Sequence, residues 1–284
     1  MEISILDAII LGIVQGITEF LPISSTAHLT ITGKMMGVVS DKNPELWTAY
    51  IAVIQMGTLA SILIYFYKDI INIIKAFFTE NLFKRRTYKE QSLDSRLGWL
   101  IIAGTIPVVV IGLLFKDVIE GALTKNLYVI SASLITLAVI LFVAEKTAKF
   151  TKELKDVTMK DAIIVGIAQA FALIPGASRS GSTITGGLFI GFKREDAARF
   201  SFLLSIPAIF ASGMLQFYQS LEHLNSNGLV SLAVATVVSG VSGYLAIDFL
   251  LKFLRKNSTM LFIVYRILLG AAILSLIGLN IIKP

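Results

Sequence analysis

The chain has 284 residues, of which 55% are hydrophobic and 15% charged, with a mean hydropathy of +0.79. Soluble domains carry roughly a quarter charged residues, so a soluble fold is excluded and a polytopic, all-α membrane protein is expected. The absence of cysteine excludes disulfides, thiolate chemistry and Cys-bound metals. The net charge of +6 does not by itself point to nucleic acid, because basic loops are ordinary in membrane proteins.

In chain order, the N-terminus lacks the basic region and small-residue cleavage site of a removable leader. The first apolar stretch, residues 3–39, is interrupted by Pro22 and by Ser24-Ser25-Thr26-Ala27-His28. Each arm is short of the about 20 residues a span needs, which predicts a re-entrant helical hairpin. Three spans are expected next, near Trp47–Tyr67, Leu97–Phe115 and Leu127–Val143. A second broken stretch, residues 161–192, is interrupted by Pro175-Gly176 and by the hydroxyl-rich run from Ser178 to Thr183. Three more spans follow, near Phe200–Tyr218, Leu229–Leu251 and Met260–Ile281.

The two broken stretches share a sequence. DAIILGIVQG at residues 7–16 and DAIIVGIAQA at 161–170 are identical at seven of ten positions, 154 residues apart. One hairpin plus three spans per half makes six spans. An odd number between the copies inserts the second upside down, so an inverted-topology repeat is expected within a single membrane domain, 1–284. Its halves are residues 1–145 and 155–284. The loops around 68–96, 144–198 and 252–258, leaving aside Arg179 of the second break, hold seventeen Lys and Arg, against five (Lys34, Lys42, Lys116, Lys125 and Lys283) on the other side. The positive-inside rule then places both termini and the mouth of the first hairpin outside.

The polar residues of the breaks are costly at membrane depth and are functional candidates. Gln15 and Glu19, four apart, share a helix face. Ser25 and His28, three apart in a helical turn, would be neighbours, an arrangement that can activate a weak nucleophile. Around Arg179, small residues, Ser178, Ser180, Thr183 and a helix N-terminus form an anion site with a guanidinium fork matched to phosphate. Arg266, inside the last span, needs an anionic partner: Glu19, Asp248 or the ligand. Held between apolar spans, such a site suits a lipid-tailed phosphate ester or anhydride.

These motifs, Gln15-x-x-x-Glu19 with Pro22-Ile23-Ser24-Ser25-Thr26-Ala27-His28, and Pro175-Gly176-Ala177-Ser178-Arg179-Ser180-Gly181-Ser182-Thr183, resemble those of the bacterial undecaprenyl-diphosphate phosphatase family of the bacitracin-resistance type. Its patterns are (E/Q)xxxE and PGxSRSxxT, and the resemblance covers the whole chain. It implies a multi-pass hydrolase of the bacterial plasma (inner) membrane that removes the terminal phosphate of undecaprenyl diphosphate, recycling the carrier for cell-wall synthesis. It also implies a divalent cation, Mg2+ or Ca2+, held by Glu19 with Gln15; Gln in place of Glu removes one charge from that site. Ser25, Glu19, His28 and Arg179 are expected to be catalytic. Ser24, Thr26, Gly176, Ser178, Ser180, Thr183 and Arg266 are expected to bind substrate. Three chemistries stay open: attack by Ser25 with Glu19 or His28 as base, attack by His28, and direct attack by water. The alternative function is a polyprenyl-phosphate transporter or flippase, since inverted repeats with broken helices are common in carriers. The partners are the lipid substrate and the bilayer, not nucleic acid; a homodimer is left open.

Overall fold

The computed structural model describes residues 3–39, 44–115, 119, 121, 125–220 and 226–283; Lys42, Lys116 and the first two residues lie outside these. Eleven α-helices are described: α1 (Ile5–Phe20), α2 (Ser25–Met35), α3 (Pro44–Tyr65), α4 (Tyr67–Phe78), α5 (Leu93–Leu114), α6 (Leu127–Thr147), α7 (Met159–Ala170), α8 (Arg179–Phe189), α9 (Arg194–Ser220), α10 (Ser226–Lys256) and α11 (Met260–Gly278).

Six of them, α3, α5, α6, α9, α10 and α11, are long and apolar enough to cross a membrane, and they match the six expected spans. The helices outrun the apolar runs where charged residues find partners. α9 begins at Arg194 rather than Phe200, and Arg194 donates to the buried Glu145 of α6. α10 continues to Lys256, where Arg255 pairs with Glu195 of α9 at 2.7 Å.

The basic segment 68–96, expected as a loop, is largely structured. Ile70, Ile73, Ile74 and Phe77 recur at helical spacing and form α4, which packs along α5. A π-helical turn, Thr79–Phe83, follows, and Glu80 accepts the backbone N–H of Ser92 at 2.8 Å, tying the segment to the start of α5.

The repeated decapeptide has a local physical reading. Asp7 and Asp161 each close a capping box, with Ser4 and Thr158 respectively. Gly12 and Gly166 each sit where another helix backbone passes. A Cβ on Gly12 would lie 2.6 Å from the Ala235 carbonyl of α10, and one on Gly166 would lie 2.2 Å from the Gly104 carbonyl of α5. Small residues permit such contacts, and backbone approach holds membrane helices together where no hydrophobic effect separates them from lipid. Ser61 and Ser239 bridge α3 and α10 through carbonyls at 2.6 and 2.7 Å. α9 crosses α3, and α11 runs along α6. The largest buried apolar cluster lies between these layers and includes Phe20, Phe202, Leu100 and Leu204.

Candidate active site

The first break starts at Pro22, which has no N–H and cannot continue α1. Ser24 then adopts φ 77°, a conformation unfavourable for a side-chain-bearing residue by about 1–3 kcal/mol. Its hydroxyl offsets this by capping α2, accepting the Ala27 N–H at 3.3 Å. The turn delivers Ser25 to Glu19: Ser25 Oγ donates to Glu19 Oε2 at 2.7 Å. Gln15 Nε2 donates to the same oxygen at 3.0 Å. All three side chains are buried, and Phe20, packed edge-on against Phe202 at 5.2 Å, fixes the end of α1.

The second break is built the same way. Ser178 has φ 73° and caps α8 through the Gly181 N–H at 3.1 Å. Gly176, at φ 87°, passes so close to α6 that a Cβ would lie 2.3 Å from Ser133 Oγ. Ser133 in turn donates to the Pro175 carbonyl. Ser178 and Ser180 hydroxyls lie 3.2 Å apart, and Ser180 Oγ donates to the Leu21 carbonyl at 3.1 Å, joining the two breaks. Arg179 approaches Glu19 Oε1 to 4.0 Å. Its Nη1 has no hydrogen-bond partner among the described residues, which leaves a guanidinium edge facing the Ser25–Glu19 pair. A hydroxyl bonded to a carboxylate, beside a guanidinium nitrogen that makes no hydrogen bond, is equipped for transfer of a phosphoryl group to oxygen.

Several expected positions have other surroundings. His28 is not hydrogen-bonded to Ser25. Its Nδ1 bonds the Ser24 carbonyl at 2.7 Å and its Nε2 the Tyr265 hydroxyl at 2.6 Å, because the turn at Ser24 folds the carbonyl back over the imidazole. Arg266 meets neither Glu19 nor Asp248. It is fully buried and donates to the carbonyls of Leu134, Pro22, Gly176 and Ala177 at 3.3, 3.4, 3.4 and 2.9 Å. Carbonyls freed where two helices break are acceptors in need of donors, and Arg266 supplies them from α11. Asp248 pairs instead with Lys252 at 2.7 Å. The Thr183 hydroxyl is taken up by the Arg179 carbonyl at 2.7 Å and by Ser201 Oγ at 2.5 Å. Thr26 is half-buried on the first turn of α2.

A small pocket beside the reactive groups is lined by Glu19, Phe20, Arg179, Ser180, Ser201, Phe202, Ser205 and Ile209. Ser201 and Ser205 were missed at the sequence level. Their spacing of four in an apolar run was the available signal. Tyr265 was missed because nothing local marks it. Among the described residues no group of three His, Asp or Glu side chains stands ready to hold a metal. However, Gln15 Oε1 is buried without a partner beside the Glu19 carboxylate. Two hard oxygens suit a cation that takes its remaining ligands from phosphate and water.

The model of a protein family described as bacitracin resistance protein BacA matches residues 8–272. The chain belongs to this family. An undecaprenyl-diphosphatase of Syntrophobacter fumaroxidans is 58% identical over 95% of this chain and 96% of its own. One from Chloroherpeton thalassium is 53% identical over 97% and 98%, and one from Myxococcus xanthus is 50% identical over 99% and 92%. The family match spans both breaks, so Ser25, Glu19 and Arg179 all lie within it.

Proposed function

We infer that the chain hydrolyses undecaprenyl diphosphate to undecaprenyl phosphate and inorganic phosphate; its relatives carry the name undecaprenyl-diphosphatase. The observation that carries the mechanism is the 2.7 Å bond from Ser25 to Glu19, set beside Arg179 Nη1, which lies 4.0 Å from Glu19 and makes no hydrogen bond among the described residues. Ser25 Oγ attacks the terminal phosphorus while Glu19 takes its proton. The anhydride bond breaks, undecaprenyl phosphate leaves, and a phosphoserine remains. Glu19 passes that proton to the departing undecaprenyl phosphate and is a carboxylate again when water enters. It then takes a proton from the water whose oxygen attacks the phosphoserine phosphorus, and returns it to Ser25 Oγ as inorganic phosphate leaves. Arg179 stabilises the charge on the transferring oxygens, the main task in phosphoryl transfer. Ser178 and the backbone N–H groups of the first turn of α8 hold the remaining oxygens. Gln15 and Glu19 would hold a divalent cation, which would neutralise diphosphate charge when bound. Arg266 and Thr183 shape the site without touching substrate.

In this reading α1–α2 and α7–α8 are re-entrant hairpins related by an inverted repeat. Three observations support it. All four helices are shorter than a span, at 16, 11, 12 and 11 residues. The strained caps Ser24 and Ser178 recur at the decapeptide's own offset. The packing is reciprocal: α1 lies along α10, and α7 along α5. With the loop charges counted above, the first hairpin and both termini face the outside of a bacterial plasma membrane, where spent carrier diphosphate is met.

Phosphate release from undecaprenyl diphosphate by the purified, detergent-solubilised chain tests the assignment. Wild type is expected to turn over, and Ser25→Ala and Arg179→Ala each to lose at least about a hundredfold in kcat. Wild type that releases nothing with lipid and Mg2+ or Ca2+ supplied overturns the enzyme reading and leaves lipid-phosphate flipping as the function.

A further inference from the structure

The hydroxyl of Tyr265 meets His28 Nε2 at 2.6 Å across 237 positions of sequence. The two rings are near parallel, 8° apart in plane, with centroids at 5.6 Å. At the other end of the imidazole, Nδ1 lies 2.7 Å from the Ser24 carbonyl. A carbonyl oxygen can only accept, so Nδ1 carries a proton. If Nε2 carried one as well, the ring would be a cation, and its α2 and α11 neighbours offer no carboxylate. Asp7 is held by the Ser4 backbone N–H and hydroxyl at 3.1 and 2.6 Å, and Glu19 by Ser25 and Gln15. Among the described residues no ion pair reaches His28. The arrangement that satisfies every atom is a neutral imidazole that donates from Nδ1 to Ser24 and accepts at Nε2 from the Tyr265 hydroxyl.

Both ring nitrogens are therefore spent, and neither is directed at Ser25. Yet the carbonyl His28 holds belongs to Ser24, the residue whose φ of 77° swings Ser25 onto Glu19. Tyr265 is also adjacent to Arg266, which grips Pro22 on the same break and Gly176 and Ala177 on the other. Two consecutive side chains of α11 thus hold the first break from two directions. We propose that Tyr265 is a positioning residue for the hydrolysis: its hydroxyl fixes His28 in the Nδ1–H tautomer, and His28 in that form pins the Ser24 turn that presents Ser25 to Glu19. This rests on the reading of Ser25 and Glu19 given above.

The test is Tyr265→Phe, which keeps the ring and removes only the hydroxyl. The chain has two histidines, so a His223→Gln background leaves His28 as the single signal in a 15N-histidine NMR spectrum of the solubilised full chain, recorded without substrate. Wild type is expected to show one neutral tautomer protonated at Nδ1. Tyr265→Phe is expected to show a mixture of protonation forms, a kcat about tenfold lower, a KM within about twofold and an unchanged melting temperature. A fall in kcat with an unchanged histidine spectrum overturns the proposal, as does a changed spectrum with full kcat. A variant that melts earlier is replaced by Tyr265→His, which restores a ring donor and is expected to recover part of kcat; failure to do so also overturns it. If wild type shows the expected tautomer but no turnover with any variant, the hydrolase reading fails instead, and the two failures are told apart by the spectrum.

Discussion

Ser24 and Ser178 stand 154 residues apart and adopt one backbone conformation, φ 77° and ψ 101° in the first, φ 73° and ψ 120° in the second. Each caps the helix that follows, accepting the N–H three residues on. Positions at the same offset nonetheless carry different chemistry. Ser25 corresponds to Arg179, His28 to Ser182 and Glu19 to Leu173. In the mechanism proposed above, the first half supplies nucleophile and base, and the second supplies the guanidinium that meets the phosphate.

The strain and the cap at Ser24 oppose each other, and substitution separates them. Ser24→Ala keeps the unfavourable φ and loses the cap, for an expected destabilisation of about 1–2 kcal/mol. Ser24→Gly loses the cap but relieves the strain, and is expected to stay within about 0.5 kcal/mol of wild type. Thermal unfolding of the two variants in one detergent compares them directly; equal melting temperatures would show that Ser24 carries no backbone strain.

Gly181 leaves the space Arg266 occupies. A Cβ there would lie 2.6 Å from Arg266 Nη1, and that guanidinium has no water to retreat into, being fully buried among four carbonyls. Gly181→Ala is expected to displace Arg266 and lower both melting temperature and kcat. Arg266→Met, which leaves those carbonyls without a donor, is expected to cost at least about 3 kcal/mol. If Arg266→Met folded as stably as wild type and only raised KM, Arg266 would be a ligand group and not a clamp.

At Gln15, the unpartnered Oε1 beside Glu19 bears on the cation. Gln15→Glu returns a second carboxylate oxygen set and is expected to lower the concentration of Mg2+ or Ca2+ giving half-maximal rate by about tenfold, since charge count sets affinity at such sites. The measurement is rate against free metal after EDTA treatment. An unchanged metal dependence would remove residue 15 from the cation site.

On the basic side, Lys155 and Lys193 pair with Glu153 at 2.8 and 2.5 Å and hold its carboxyl at about 2, below the ordinary 4.5. A depressed carboxylate stabilises the fold above its unfolded value and loses that contribution as pH falls toward the folded one. Melting temperature is thus expected to drop between pH 5 and pH 2 by more in wild type than in Glu153→Gln. Because Glu153 is solvent-exposed the difference will be a few degrees at most; parallel profiles would show that the pairs contribute nothing.

Much of this molecule was written in local sequence. The six spans follow from length and apolarity, because a bilayer demands both. The two breaks follow from Pro22, Pro175 and clustered hydroxyls. The Ser-rich run around Arg179 is legible as an anion site because a helix start needs only nearby residues. What local pattern does not carry is the direction of side chains across the hairpins. Spacing made Ser25 and His28 neighbours, yet the turn at Ser24 sends one to Glu19 and the other to Tyr265. Arg266 read as a charge seeking an anion, and it instead satisfies carbonyls freed by breaks 244 and 90 positions away. Likewise α4 was hidden in a basic loop, since an amphipathic helix is recognised by what its apolar face packs on. Composition and spacing determine which segments enter the membrane and where they break; only the meeting of those breaks decides which groups are free to react, because each buried donor is claimed by its nearest acceptor in space.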